Sequence, residues 1–166
     1  MNKAMAAALL LALPAQGVAA QTCLTRAEAT DLVVYLMPVV VRGIADKCAA
    51  TLPDTAFLNS GSAAFVERLG GESDRRWPGA RAAFMKMAGR DLPVDAGDDM
   101  LRPLLTGAVS NALLNKIGTR GCVSADELLG AIAPLPAQNI GTLLTGFLRL
   151  ATESGRTANL AICPDD

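Results

Sequence analysis

Histidine is absent from the chain, and this absence excludes several kinds of chemistry. Neither a Ser-His-Asp triad nor a Cys-His pair can be built, and zinc cannot be held by imidazole. Nucleotide-binding and nucleophile motifs of the G-x-G-x-x-G, G-x-x-x-x-G-K-[ST] and G-x-S-x-G types are missing as well. We therefore expect no cofactor and no catalytic residue, and the chain is more typical of a binding protein than of an enzyme.

Aromatic residues and an excess of charge are also lacking. Only 4% of the residues are aromatic, so the core has to be built from aliphatic side chains. The 15 lysines and arginines face 16 aspartates and glutamates, which gives a formal net charge of −1. A chain so close to neutrality has no electrostatic footprint for DNA or RNA. Nucleic acid is therefore not an expected partner.

The N-terminal residues have the order of a secretory signal peptide. Lys3 precedes the apolar run 4–13, which Pro14 ends, and the small residues 18–20 provide a cleavage site. We therefore expect residues 1–20 to be removed on export.

The remaining residues, 21–166, have the length of a single domain. Their longest apolar run, 32–41, contains Pro38 and is too short to cross a bilayer. The expected product is a helical domain without a transmembrane segment, located in the periplasm or secreted.

Four cysteines in an exported chain predict two structural disulfides. None has the C-x-x-C spacing of a redox pair or a zinc knuckle, and three pairings are open. If residues 26–49 form one helix, Cys23 and Cys48 lie roughly 35 Å apart. A disulfide needs Cα atoms within about 7 Å, so that pairing would be excluded. The predicted disulfide residues are Cys23, Cys48, Cys122 and Cys163.

Two capping boxes predict the starts of helices, one from Thr25 to Glu28 and one from Ser124 to Glu127. An apolar stripe of helical period follows the first box, and Pro38 predicts a kink in that helix. Each box lies two residues after a cysteine. This repeated pattern indicates either a duplicated helical unit or two helices that begin with a common cap beside a disulfide.

Glycine and proline predict further helix limits. A short helix is expected over residues 62–69, because Gly70 and Gly71 follow it. The next helix is expected to begin at Pro78, a residue that suits the first helical position. It is expected to end near Gly89.

The C-terminal half predicts three more helices. One begins at Asp98, the second follows Ser124, and the last spans about 138–151, after Pro134 and Pro136. No segment alternates with a period of two residues. The predicted fold is therefore all-α, a compact bundle of about five to six helices, two of them kinked by proline, with two disulfides. The central apolar stripes predict these buried residues: Leu36, Val40, Ile44, Leu105, Val109, Leu113, Leu143, Leu144 and Phe147.

Acidic residues are the only candidates for metal binding or acid–base chemistry. Asp91, Asp95, Asp98 and Asp99 lack the alternating ligand spacing of a calcium loop. We interpret them as solvated loop acids and helix-start charges, and we predict no metal site.

Hydrolysis by two carboxylates is an alternative function, with Glu67, Glu72 and Asp74 as candidates. The scarcity of aromatic platforms for a sugar argues against it.

Arg75, Arg76 and Trp77 form the most distinctive local feature and are the predicted binding residues. Arginine and tryptophan are enriched at binding hot spots. The alternative is structural: Trp77 packs onto the core, and the arginines pair with Glu72 and Asp74.

These patterns favour a non-enzymatic binding protein or envelope component, with a protein as its partner. The first alternative is a carrier of a small apolar ligand, held in a cavity that small side chains leave open. The second is a carboxylate-dependent hydrolase of envelope material. A carrier requires an enclosed apolar volume, a hydrolase requires paired carboxylates in a cleft, and a partner-binding protein requires an exposed apolar or Arg/Trp patch.

Overall fold

The computed structural model describes residues 23–93, 95–154 and 161–163, and the predicted signal peptide lies outside them. The all-α class is confirmed: the described residues form six α-helices and one short 3₁₀ turn, Gly89–Asp91. None of these helices is long and apolar enough to cross a membrane. The helices are α1 (Arg26–Cys48), α2 (Phe57–Ser60), α3 (Ser62–Ala88), α4 (Asp98–Leu114), α5 (Thr119–Ile132) and α6 (Ala137–Glu153).

Helix α1 begins at the predicted capping box. The backbone N–H of Glu28 donates to the Thr25 hydroxyl at 3.1 Å, and the Glu28 carboxylate accepts from the Thr25 N–H at 2.9 Å. The helix continues through Pro38 to Cys48. Proline removes one backbone hydrogen bond, but buried residues on both sides of it hold the helix together. Helix α1 is the central element, and α3, α4, α5 and α6 all pack against it.

Helix α3 corrects two predicted limits. Gly70 and Gly71 do not end a helix, and Pro78 does not begin one, because a single helix spans Ser62–Ala88. Each glycine costs about 1 kcal/mol relative to alanine within a helix, and proline about 3 kcal/mol. Burial of a large side chain contributes about 1.5–3 kcal/mol, and α3 buries Leu69 and Trp77 among seven buried residues. Packing along α1 therefore outweighs the local signals.

The core consists of two clusters at opposite ends of the α1–α3 pair. The first joins the C-terminal half of α1 to α2, α5 and the start of α3. The second joins the N-terminal half of α1 to the end of α3 and to α4. Aliphatic residues dominate both clusters, as the composition predicts.

One disulfide lies beside each cluster. Cys48 pairs with Cys122, with Cα atoms 5.5 Å apart, and fastens α5 to the end of α1. Cys23 pairs with Cys163, with Cα atoms 5.1 Å apart, and attaches the C-terminal residues to the start of α1. The predicted exclusion of a Cys23–Cys48 bond is therefore confirmed. Leu24, the residue after Cys23, is almost fully buried, and its backbone N–H donates to the carbonyl of Ala161.

The second predicted capping box does not begin a helix. Helix α5 starts at Thr119, so Ser124 lies inside it. Asp126 instead binds another helix: its carboxylate accepts from the backbone N–H of Leu58, at the start of α2, at 2.7 Å. The two cysteine-containing segments thus occupy different positions in their helices, which argues against a duplicated unit.

The predicted core is right in part. Leu36, Ile44 and Leu105 are buried, whereas Val40, Val109 and Leu144 are half-buried. Three predictions are wrong, because Leu113, Leu143 and Phe147 are 45%, 43% and 60% exposed. Helical periodicity locates an apolar stripe, but it does not show whether another element covers that stripe.

Candidate binding groove

The uncovered stripes border an apolar groove. Helix α1 forms its floor, α4 and α6 form its two walls, and its volume is about 410 Å³. All the lining side chains are non-polar: Val33, Leu36, Met37, Val40, Val109, Leu113, Leu144, Phe147, Leu148 and Ala151. We call this site the α1–α4–α6 groove.

Helical spacing produces both the floor and one wall. The four α1 residues, 33, 36, 37 and 40, follow the pattern i, i+3, i+4, i+7. The four α6 residues, 144, 147, 148 and 151, follow the same pattern. Residues at these offsets share one face of a helix, so each helix presents a continuous apolar strip to the groove.

Helix α6 is held against α1 by its buried residues, Ile140, Gly141 and Thr145. Gly141 permits this approach: a Cβ atom there would lie 2.5 Å from Cγ2 of Val34 and 3.2 Å from the Thr30 carbonyl oxygen. The hydroxyls of Thr30 and Thr145 hydrogen-bond nearby at 3.3 Å, and Ile140 is fully buried. Farther along the helix, Leu144, Phe147 and Leu148 line the groove.

An exposed apolar stripe runs beside the groove. Leu143, Phe147 and Leu150 follow the spacing i, i+4, i+7 on α6 and are 43%, 60% and 62% exposed. We call these three residues the α6 stripe. Phe147 belongs both to the stripe and to the groove wall. Exposed apolar side chains that adjoin one another, unlike scattered ones, are typical of an interaction surface.

The walls of the groove carry no charge. No lysine, arginine, aspartate or glutamate occurs in residues 32–41 of α1, 103–114 of α4 or 128–148 around α6. Depletion of charged residues is characteristic of the centre of a protein interface. These uncharged segments are the signal by which the sequence could have revealed the groove.

Trp77 lies elsewhere, in the second core cluster. It is 5% exposed, and its indole N–H donates to the Asp98 carboxylate at 2.6 Å. Its ring centroid is 4.9 Å from that of Tyr35, and the guanidinium of Arg102 lies over the ring at 4.6 Å. Burial raises the pKa of Tyr35 in this setting, although the nearby Arg102 opposes the shift. The indole thus anchors α3 to α1 and α4.

The two neighbouring arginines are both ion-paired. Arg75 pairs with Glu72, as the structural alternative predicted. Arg76 pairs instead with Asp31 of α1 at 3.1 Å, and Asp74 pairs with Arg102 at 2.8 Å. A binding role for Arg75, Arg76 and Trp77 stays a prediction, and any partner there would meet the arginines rather than the buried ring.

The carboxylates proposed for hydrolysis are dispersed. Glu72 and Asp74 are ion-paired on α3, and Glu67 lines a separate hollow beside Arg42. Asp98 pairs with Arg81 at 3.2 Å. Among the described residues, no three His, Cys, Asp or Glu side chains come together to hold a metal ion. The groove itself contains no carboxylate.

A polar hollow of about 630 Å³ lies at the start of α1. Two of its side chains, Asp31 and Arg76, already pair with each other. The α1–α4–α6 groove is therefore the better candidate for a binding site.

Comparisons of the chain with protein-family models, with curated proteins and with solved structures found no match. The two disulfides suggest an oxidising environment outside the cytosol.

Proposed function

We propose that this chain is an exported, non-enzymatic binding protein that accepts an apolar helix of a protein partner in the α1–α4–α6 groove. The observation that carries this proposal is the groove itself, a channel between two helices lined only by non-polar side chains. Contiguous exposed apolar surfaces are typical of interaction sites, because exposing them to water is unfavourable.

The shape of the groove favours a helix as its occupant. An amphipathic helix docks by inserting side chains at i, i+3 or i+4, and i+7 between the walls of an apolar groove. The floor and the α6 wall offer apolar strips with this same spacing. Leucine and phenylalanine side chains of a partner would pack against Met37 and Leu144 and require no polar group for orientation.

A small apolar ligand is the second candidate. The volume of about 410 Å³ falls within the range of small-molecule sites, about 300–1,000 Å³. Such sites normally add a few polar groups that orient the ligand, and this groove has none. The rim is also open, with Leu113 45% exposed, whereas a carrier encloses its ligand. These features favour the protein partner.

Binding of two probes separates the candidates. One probe is a labelled amphipathic peptide with leucines at i, i+4 and i+7, compared with a scrambled peptide of the same composition. The other probe is a long-chain fatty acid. Phe147→Glu places a charge in the groove wall, whereas Leu128→Glu is the matched control, because Leu128 is 55% exposed on α5 and lies outside the groove.

We expect the ordered peptide to bind the wild type and Leu128→Glu, and to lose affinity for Phe147→Glu. Binding of the fatty acid alone, with the same dependence on Phe147, would establish the carrier function instead. If neither probe binds, both candidates are wrong.

Export is a separate part of the proposal. We propose cleavage after Ala20, supported by the order of the N-terminal residues and by the two disulfides. Intact-mass measurement of protein recovered from the periplasm or medium is expected to show Gln21 as the first residue and all four cysteines oxidised. Retention of residues 1–20 would contradict this part alone.

A further inference from the structure

We propose that the polar surface between the start of α1 and helix α6 is a second binding site, which takes a small hydroxylated carboxylate through Arg26. No residue that lines this surface also lines the α1–α4–α6 groove. The inference is therefore independent of the proposed docking function.

Two polar hollows adjoin at this surface. The hollow at the start of α1 has a volume of about 630 Å³, and a second one of about 450 Å³ lies along α6. Both are lined by Arg26 and Thr142, so they form one continuous depression. We call this depression the Arg26 site.

Arg26 is the cation of this site that has no counter-ion. Arg76 and Arg149 line the site as well, but they pair with Asp31 at 3.1 Å and with Glu153 at 2.9 Å. Arg26 is exposed and forms no ion pair with any residue that the structure describes. A guanidinium group presents its N–H donors as a planar fork, which matches the two oxygens of a carboxylate.

The balance of charge favours a ligand with a single negative charge. Three arginines and two acidic residues line the site, which leaves one positive charge in excess. A carboxylate neutralises that charge. A phosphate group carries up to two negative charges near neutral pH, and the second would be repelled by Asp31 and Glu153.

Two buried hydroxyls indicate that the ligand supplies an oxygen acceptor. Thr30 lines the first hollow and Thr145 the second, and they are 4% and 2% exposed. They share one hydrogen bond at 3.3 Å, so one of their two protons has no acceptor in the described part of the chain. A buried donor without an acceptor is unfavourable. An oxygen of a bound ligand would accept this proton.

The remaining polar groups suit a hydroxylated, open-chain ligand. The Thr142 hydroxyl donates to the carbonyl of Gln138 at 3.0 Å, which leaves its lone pairs free to accept from a ligand hydroxyl. The side-chain amide of Gln138 also lines the site and offers both donors and an acceptor. Neither hollow is lined by an aromatic residue on which a sugar ring would stack. An open-chain hydroxy acid is therefore the better fit.

Isothermal titration calorimetry with three probes tests the choice of ligand. We expect gluconate, an open-chain hydroxy acid, to bind the wild type in a saturable manner. Sorbitol has a CH₂OH group in place of the carboxylate and is expected to bind at least about tenfold more weakly, because it cannot form charge-assisted hydrogen bonds with Arg26. Inorganic phosphate is also expected to bind more weakly than gluconate.

Variants of the chain test the position of the site. Arg26→Gln is expected to raise the dissociation constant for gluconate by about tenfold or more. Arg120→Gln is the matched control, because Arg120 is exposed on α5 and lines neither hollow. It is expected to leave the dissociation constant unchanged. Thr145→Val removes one buried hydroxyl and is expected to have a smaller effect than Arg26→Gln. Circular dichroism verifies that each variant is folded.

Four outcomes would overturn the inference. They are a wild type that binds no gluconate, sorbitol that binds as tightly as gluconate, phosphate that binds more tightly, and an Arg120→Gln variant as impaired as Arg26→Gln. Arg26→Gln is expected to bind the amphipathic peptide as the wild type does, so failure of the Arg26 site and failure of the groove are distinguishable.

Discussion

The two sides of α1 differ in how completely other helices cover their apolar residues. On one side α3 lies along the helix and covers Leu32 and Tyr35 with Trp77 and Ala80. On the other side α4 and α6 leave a groove of about 410 Å³ over Val33 and Val40.

Side-chain size and charge account for the difference. The α3 side uses Ala80 and Ala83, both fully buried, for close approach, and it has Arg76–Asp31 and Lys86–Glu28 ion pairs at its margin. The groove side has bulky, uncharged residues on both walls. One α1 surface is thus covered by another helix of the chain, and the other is open at the groove. The following predictions test this contrast, from the largest expected effect to the smallest.

Removal of the Trp77 indole, on the α3 side, is expected to destabilise the protein more than any other change proposed here. Trp77→Ala is expected to lower the free energy of unfolding by about 3–5 kcal/mol, because a buried aromatic ring leaves a cavity. Chemical denaturation followed by circular dichroism measures the loss. Trp77→Phe retains a ring but loses the hydrogen bond to Asp98, and we expect a smaller loss. Equal losses for both variants would contradict the packing role.

Helix α4 contains both a core leucine and a groove leucine, which permits a matched comparison of the two sides. Leu101 and Leu113 both lie on α4, but Leu101 is fully buried and Leu113 is 45% exposed. Leu101→Ala is expected to cost about 2–5 kcal/mol. Leu113→Ala is expected to cost less than about 1 kcal/mol in the monomer, since much of its side chain already contacts water. Similar costs, measured by urea denaturation at low protein concentration, would show that the groove is covered within the chain.

Two glycines of α6 test how the groove wall is attached. Gly141→Ala is expected to cost about 1–3 kcal/mol, because its Cβ would lie 2.5 Å from Val34 and 3.0 Å from Cγ2 of Thr30. Gly146→Ala has no atom within 4 Å of its Cβ and is expected to stabilise the protein by about 0.4–1 kcal/mol. Thermal unfolding of the two variants should therefore shift in opposite directions. A gain for both would show that α6 lies farther from α1 than described.

The charged margin of the α3 side should produce a small dependence on pH. Burial desolvates the Glu28 carboxylate and alone would raise its pKa, but hydrogen bonds from Lys86 and Thr25 outweigh it, and the pKa lies below its ordinary value of 4.5. The ionised form therefore stabilises the fold above pH 4.5, and this stabilisation is lost as the pH falls through the lower pKa of the folded state.

Glu28→Gln retains an acceptor for the capping box but removes this charge. We expect it to cost up to about 1 kcal/mol at neutral pH and to weaken the loss of stability on acidification. Glu153→Gln, at the exposed pair with Arg149, is the control and is expected to change neither. An unaltered pH dependence in Glu28→Gln would show that the ion pair with Lys86 contributes nothing.

The sequence predicted the features that depend on neighbouring residues. The start of α1 follows from Thr25 and Glu28, whose groups bond within one turn. The exclusion of a Cys23–Cys48 disulfide follows from helix length alone. The all-α class follows from the apolar period. The groove was not predicted, because its residues come from three helices far apart in the chain.

The sequence alone therefore determined these local features. A cap and a helical period depend on residues within a few positions of one another, and the excluded disulfide depends only on the length of one helix. Only the tertiary structure decided that α3 continues through Gly70, Gly71 and Pro78, because the burial that outweighs their cost comes from α1. It also decided which apolar stripes are covered. Phe147 and Ile140 both belong to the apolar pattern of α6, yet one is 60% exposed and the other fully buried. The two residues lie seven apart on the same face of α6, so the difference is which turn of that face other helices cover, and no residue next to either one in the sequence determines it.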